Sequence, residues 1–599
     1  MKILSIRLSP IALRLILLFL IVALGGVIRF WKISSLPFPP NGDELAFGYY
    51  GWSLLHYQTD EYGHRFPFYF SSIGDYKYPV LAYMNVLPAA LFGLTEITSR
   101  FTSAVSGIVL IVVGYLLTWI IFKSSPVAIL SALFLALSPW GISLSRYGYE
   151  TNVSLTLTTA GFLALFWIGH GNTTLKRRLW LFFSSFILLT TATFCYGAAK
   201  VTVPALLLVI FLASLFKFFS LRPIRIYTAG LLIIISSIVA LSLVPWQSRG
   251  RASGVLLLGI TPDHRRILAE DAIEAGISPV RLPVKVTYLF HNKYKALSEF
   301  YLQRYLKYFE SDFLFFGSGA ANESIPQAGV LLLVQIIFLP VGLLALLNRV
   351  RHNGKLVIPL LWLLVAPLPA VITVGEGHLT RALLMLPMLS AISGLGLIHL
   401  VSFFKSNFWK IISVTGFFMV IGLNSSFILS QLFVHKPVRQ AWKNEQVYKQ
   451  LVSSLYEFKP IYKFIAIPDN DYIFFLYYMK VSPPDFLARS TIKPETYANQ
   501  WERVDRLDNI YFKMPYKCPK EGKLNVLYIC QGQHIPINSR ILKVIRYLDG
   551  IPAFVLIEFL PVSPKNYLPP QLPPGVHYMV DWGSRYPNSL IPATDPALW

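Results

Sequence analysis

The chain has 599 residues, of which 54% are hydrophobic and only 14% charged, and its formal charge is +23. Its mean hydropathy is +0.54. Soluble domains carry about 25% charged residues, so this composition excludes a cytosolic globule or a disordered chain and indicates a polytopic membrane protein.

A spanning helix needs roughly 20 predominantly apolar residues. Eleven segments read as spans: 13–31, 101–122, 127–145, 152–169, 179–198, 201–217, 226–246, 328–347, 356–374, 382–403 and 410–433. The first resembles a signal peptide, with Lys2, Arg7 and Arg14 before its apolar stretch. It lacks a small-residue cleavage site and runs into Arg29-Phe30-Trp31-Lys32, so it reads as a retained anchor.

Segment 32–100 opens on Pro39-Pro40-Asn41-Gly42-Asp43-Glu44 and continues in a helix-like stretch over about 45–57. It ends with Gly74-Asp75-Tyr76-Lys77-Tyr78-Pro79. Connections of this length are usually functional. An acidic pair after a Pro-Pro-Asn-Gly turn also fits a helix N-cap with a first-turn carboxylate. Residues 79–94 are too short for a span and are interrupted by Pro88, so they read as a helix lying at the interface.

Basic residues in short loops set orientation. With the N-terminus inside, inner loops carry Lys123, Lys176–Arg178, Lys217, Arg222, Arg225, Arg349, Arg351, Lys355, Lys405 and Lys410. Short outer connections carry only Arg146, Lys200 and Arg381. The polar segments 32–100, 247–327 and 434–599 then fall outside, and the net charge requires no nucleic acid. Snorkelling toward lipid phosphates explains any one of the three outer cations. Three of them at the outer ends of different helices suggest an anion held at that face.

Segment 247–327 is charged and helical-looking, with Phe300, Tyr301, Tyr305, Tyr308 and Phe309, and it closes with Phe313–Gly317. It reads as an amphipathic interfacial helix that also walls a site at the bilayer surface. Residues 434–560 change to soluble alternation, with strands expected near 463–467, 509–512, 525–529, 542–547 and 553–559 and helices at 443–457 and 471–480. This predicts an extracytoplasmic α/β domain. The proline-rich tail 561–599 has no periodicity. Of the three cysteines, Cys195 lies in an apolar run, and Cys518 and Cys530 can pair if their domain faces an oxidising compartment. No CxxC or HExxH spacing occurs.

Several motifs together resemble one family. They are the first helix followed by Pro-Pro-Asn-Gly-Asp43-Glu44, then Lys77-Tyr78-Pro79, Phe92-Gly93, and Ser99-Arg100-Phe101 leading into the second span. A second outer loop ends in Phe-Leu-Phe-Phe-Gly, and His378-Leu379-Thr380-Arg381 precede Leu386-Pro387. This pattern resembles the GT-C superfamily of membrane glycosyltransferases over roughly residues 10–430, nearest the bacterial protein mannosyltransferase and aminoarabinose transferase branch. The resemblance implies transfer of a sugar from a polyprenyl-phosphate carrier to a hydroxyl acceptor on the outer face, with inversion. It also implies a catalytic acid after the first helix, here Asp43, and a carrier-phosphate role for Lys77. The family pattern has Lys directly before Pro-Pro, whereas here Tyr78 intervenes and only Pro79 follows.

The chemistry stands without the resemblance. A polyprenyl phosphate departs as a stable anion, so no acid must protonate the leaving oxygen, whereas a glycosidase commonly uses two carboxyl groups. One carboxylate that takes the acceptor's proton is sufficient. Asp43 is the expected base, with Glu44 beside it in the catalytic pair or orienting the site. A cationic clamp for the phosphate is expected from Lys77, Arg146, Lys200, His378 and Arg381. Asp60, Glu61, His64, Asp75, Asp263 and His264 make a divalent metal possible, but without diagnostic spacing none is expected to be obligatory. The acceptor is a hydroxyl on protein, lipid or polysaccharide.

A transporter or lipid-carrier flippase is the main alternative. It would carry repeats or mid-membrane charges, yet the ionisable residues here cluster at outer helix ends. An O-antigen ligase or polymerase would place its catalytic loop late in the chain, and a membrane scaffold leaves the Asp43 loop unexplained.

Overall fold

The structure, a computed structural model, describes residues 9–72, 75–170, 174–215, 222–243, 256–257, 262–277, 289, 291–317, 323–375, 377–441, 446–468, 472–494, 502–514, 518–532, 534–561 and 572–578. Most of the expected tail, and much of 247–327, lies outside these residues. Within them the chain divides into two units. One is Met1–Gln446 with Ile473–Ala488 and Pro494–Glu502, and the other is Val447–Tyr472, Arg489–Lys493 and Arg503–Trp599.

The first unit is a helical bundle, and the chain is a multi-pass membrane protein. Among the described residues, 8 helices are long and apolar enough to cross a membrane, or 9 if a bent pair counts as one span. They begin with Pro10–Phe30, where Ser9 caps the end by accepting from the Ala12 amide at 3.1 Å and Pro10 occupies a first-turn position. Two further expected spans form apolar helices of 17 and 16 residues, Ala199–Leu215 and Gln335–Val350, each with an internal proline. Every expected span therefore contains a helix, although that of 328–347 begins only at Gln335. Residues 79–94 form the short helices Pro79–Met84 and Val86–Phe92.

The bent pair shows how buried charge can serve architecture. Ser125–Leu137 and Pro139–Arg146 meet at 51°. Pro139 has no N–H for the Leu135 carbonyl, and the Trp140 amide goes to the Val330 carbonyl rather than to Ala136. The Arg29 guanidinium supplies both missing donors, reaching the Leu135 and Ala136 carbonyls at 3.1 Å each. Arg146 returns the service at the end of the first helix, donating to the carbonyls of Ile28, Arg29, Trp31 and Leu36 at 2.7–3.0 Å. Five donors in a planar fork make arginine suited to such capping.

Close helix contact depends on small residues. Gly342 of Gln335–Val350 faces Gly396 of Leu386–Ser402, and a Cβ on Gly396 would lie 1.8 Å from the Phe338 carbonyl oxygen. Backbone cannot yield at that distance. Gly396→Ala is expected to destabilise the bundle by at least about 1–3 kcal/mol, read as a lower unfolding temperature in detergent. A Gly416→Ala variant, where nothing lies within 4 Å, is the unaffected control.

Between the first two long spans, the helix Gly42–Tyr57 is followed by the antiparallel hairpin of β1 (Phe70–Ser72) and β2 (Asp75–Lys77), with Phe70 opposite Lys77. The apolar helix Tyr472–Tyr478, expected to belong to the soluble domain, packs with this first unit instead. The Tyr49 hydroxyl donates to the Val481 carbonyl at 2.9 Å, and Tyr477 lies 3.3 Å from the Ser99 hydroxyl. The run Tyr-Ile-Phe-Phe-Leu-Tyr-Tyr is buried along its first six residues, so it needs apolar cover on every face.

The second unit is the α/β domain. Its seven-stranded sheet runs β4-β5-β6-β3-β7-β10-β9, where β3 is Phe464–Pro468, β4 Ser490–Pro494, β5 Glu502–Leu507, β6 Ile510–Met514, β7 Val526–Gln531, β9 Ser539–Arg546 and β10 Pro552–Phe559, while the short β8, His534–Ile535, lies outside it. β3 is parallel to both neighbours, β6 and β7, while β10 is antiparallel to β7 and β9. Five of these strands were expected. β4 and β5 are charged, in Ser-Thr-Ile-Lys-Pro and Glu-Arg-Val-Asp-Arg-Leu, and so carry a weak apolar signal. Cys518 and Cys530 form a disulfide beside a core of Ile535, Val555, Ile557 and Phe559.

Candidate active site at the Asp43 helix

The turn Pro-Pro-Asn-Gly delivers a helix start. The Asn41 side chain accepts from the Glu44 amide at 3.0 Å, and the Glu44 carboxylate accepts from the Asn41 amide at 2.9 Å, so two orphan donors of the first turn are satisfied reciprocally. Successive helix residues diverge by about 100°. Asp43 therefore faces outward with 57% of its side chain exposed, whereas Glu44 is wholly buried.

Glu44 is consumed by the scaffold. Its two oxygens take Arg100 Nε and Nη2 at 2.8 and 3.0 Å, and Oε1 also accepts from the Gly148 amide at 2.6 Å. Arg100 further donates to the Ile33 and Phe38 carbonyls at 2.8 Å each, fastening the turn that leads to the site. The catalytic pairing of Glu44 with Asp43 is corrected accordingly: a carboxylate with both oxygens bonded and no exposure cannot meet a substrate. Gly148 has a backbone reason to be glycine, since a Cβ there would lie 2.2 Å from the Ser99 carbonyl. The Asn41 side chain also donates, from Nδ2, to the Tyr149 hydroxyl at 2.5 Å. Burial, followed by the charges of Glu323, Glu44 and Asp43, pushes the Tyr149 phenol well above its usual range.

Asp43 has a different partner. Lys77, at the end of β2 and 5% exposed, places Nζ 2.6 Å from Asp43 Oδ1 and 5.6 Å from the centre of the Phe47 ring. The next residue, Tyr78, walls a cavity of about 270 Å³. Tyr196, Lys200, Thr373 and Arg381 also line it, with apolar surface from Val239, Leu243, Leu256 and Ile372. Lys200 is 8% exposed, donates to the Ser242 hydroxyl at 3.1 Å, and sits 4.6 Å over the Tyr78 ring. The order Asp43, Lys77, Tyr78, Lys200 is thus continuous in space. Asp43 and Lys77 do not themselves line the cavity; Tyr78 stands between.

Arg381 reaches the cavity from the other side, at the start of Leu379–Ser402. It donates to the Val374 carbonyl at 3.0 Å and lies 3.0 Å from His378 Nε2. His378 sits behind Arg381 against Val374 and outside the cavity lining. Burial holds its pKa below the usual value; the Val374 carbonyl opposes that and the Arg381 and Arg304 charges add to it. A second cavity of about 30 Å³ behind Arg381 is lined by Thr151, Thr158, Thr202 and Thr380, space for one water. The buried Arg304, unremarked in the sequence among its aromatic neighbours, binds the carbonyls of Val371, Thr373 and Gly375 and so shapes the loop between cavity and Arg381.

Arg146 also needs correcting as a clamp residue. Its four carbonyl partners and complete burial assign it to the end of the first helix. Sequence could not separate it from Lys200, because both are cations at the ends of expected spans. Among the described residues, no group of three His, Cys, Asp or Glu could hold a metal ion. Asp60 and His64 pair with each other at 2.9 Å, and Glu61 is buried against the Tyr50 hydroxyl. The side chains of Asp75, Asp263 and His264 lie outside the description.

The fold that presents these groups is that of the GT-C membrane glycosyltransferases. It is similar to the crystal structure of ArnT from Cupriavidus metallidurans in the apo state, at TM-score 0.50 and 11% identity over 90% of this chain and 97% of that one. ArnT bound to undecaprenyl phosphate is matched at TM-score 0.47 and 11% identity over 79% and 86% of the two chains. The apo oligosaccharyltransferase of Archaeoglobus fulgidus is matched at 0.49 and 15% identity, over 77% of this chain and 63% of that one, so this chain spans less than two thirds of its length. No family model matches the chain, and no curated protein does.

Proposed function

We propose that the chain is a glycosyltransferase that moves a sugar from a polyprenyl-phosphate carrier to a hydroxyl on protein, lipid or polysaccharide, at the extracytoplasmic face, with inversion. One observation carries this reading: an exposed carboxylate held 2.6 Å from a buried lysine, whose next residue walls a part-apolar cavity bearing two further cations. The acceptor oxygen bonds to the anomeric carbon as its proton passes to Asp43. The bond from that carbon to the carrier phosphate breaks, and its electron pair leaves with the phosphate. Lys200 and Arg381 face the cavity where that charge increases, in a poorly solvated setting where such stabilisation is strong. Lys77 fixes Asp43 and supplies a third positive charge, so the step as drawn is carried by the protein's own cations. His378 backs Arg381 and completes the clamp from behind. The N-terminus is assigned to the cytoplasm and the α/β domain to the outside.

The test incubates the full-length chain, purified in detergent, with a panel of polyprenyl-phosphate sugars and hydroxyl acceptors, and measures release of free lipid phosphate. Lys200→Ala and Arg381→Ala are each expected to weaken donor use by about tenfold to a hundredfold, the worth of one charge-assisted hydrogen bond. Arg146→Lys is expected to lower stability without a donor-specific effect. Lipid movement across a vesicle bilayer with no sugar release would favour the flippase.

A further inference from the structure

We propose that the end of the bundle opposite Asp43 holds a binding site for a phosphate-bearing anion, built by Lys123, His170, Lys355 and Arg177, and that an anionic lipid headgroup is its occupant. The Glu96–Phe122 helix has 27 residues, which separates its two ends by about 40 Å. Arg100 and the Asp43 site lie at one end, and Lys123 ends the other. This inference is therefore independent of the reading of the Asp43 site.

Three connections converge there. Lys123 caps its helix in a left-handed conformation, φ 53°, and its ammonium contacts His170 Nδ1. His170 follows the Glu150–Ile168 helix and lies 5.2 Å from the Trp119 ring and 6.4 Å from the Trp167 ring. Lys355 lies on the Gly354–Val357 turn, which packs against the Glu96–Phe122 helix. Arg177 is in the first turn of Leu175–Cys195.

The charges around this cluster have one sign. Burial and then the Lys355 charge hold Lys123 below its usual pKa; burial and then Lys123, Lys355 and Arg177 do the same to His170. Among the described residues, no carboxylate is among the charges acting on either group. A lysine pointed at an imidazole nitrogen makes that nitrogen an acceptor, so the histidine cannot relieve the repulsion. An anion can, by taking N–H donors from two lysines and an arginine at once. Two tryptophans at the same level match the aromatic belt of a membrane interface, which favours a headgroup phosphodiester over a phosphate free in solution.

The experiment measures lipid retained by the intact chain in native mass spectrometry after equilibration with phosphatidylglycerol or phosphatidylcholine, alongside thermal unfolding with inorganic phosphate. Phosphatidylglycerol should be retained selectively, and Lys123→Gln/Lys355→Gln should cut its retention at least about fivefold, with Lys123→Arg/Lys355→Arg restoring it. Equal retention by wild type and the glutamine variant overturns the site. Charge-dependent stabilisation by inorganic phosphate, with no selective lipid retention, keeps the anion site and overturns the lipid as its occupant.

Discussion

Asp43→Asn is expected to slow sugar transfer by about 10²–10⁴, the range of a single general base, while donor binding stays within error and unfolding temperature falls, because the buried Lys77 loses this anionic partner. Asn keeps the shape of the side chain and its place in the first helical turn, and the exposed position carries little packing. Removing the charge also changes the environment of Lys77, so the single variant does not distinguish a base from a residue that merely holds the lysine. A double-mutant cycle does. If Asp43 acts only through Lys77, then Lys77→Gln will be as slow as Asp43→Asn and the double variant no slower. If Asp43 takes the proton, Lys77→Gln will mainly weaken donor use, and Asp43→Asn will lower the rate at saturating donor. Transfer at the normal rate by Asp43→Asn would remove it from the mechanism.

Glu44→Ala is expected to have the largest effect on stability. It strands the Arg100 guanidinium in a site of no exposure, and breaking one side of a buried pair costs about 3–5 kcal/mol. In many proteins, replacing both partners with apolar residues restores stability. Here Glu44→Leu/Arg100→Met should not, because Glu44 also satisfies the Asn41 and Gly148 amides and Arg100 the Ile33 and Phe38 carbonyls. Four backbone groups would lose their partners in the double variant. Unfolding temperature in detergent measures both, and full recovery in the double variant would mean those backbone bonds contribute nothing.

Two neighbouring acids thus divide into two roles, and the division follows from helix geometry more than from residue type. The sequence motif Asn-Gly-Asp-Glu already contained both a capping box and a candidate base. What it lacked was the identity of the Glu44 partner, Arg100, which lies 56 residues away. The same holds for the cations at the helix ends. Lys200 and Arg381 border one cavity, yet Arg146, alike in composition and position, is spent on four carbonyls. Its carbonyl partners come from the first helix and the turn after it, more than 100 residues away. No local pattern records them.

By itself, the chain's apolar periodicity determined the spans, because a backbone in lipid must satisfy its own hydrogen bonds and runs of about 20 apolar residues have no other use. Turn chemistry likewise marked a helix near Asp43, expected over about 45–57 and found from Gly42 with Asn41 as its cap, and strand alternation marked most of the α/β domain. Tertiary structure decided which charges are used up. A guanidinium or carboxylate can satisfy a remote helix end as readily as a substrate, and only the folded chain shows which partners reach it first. It also decided that the Tyr472–Tyr478 helix packs with the bundle, since an all-apolar helix follows available cover rather than its place in the sequence.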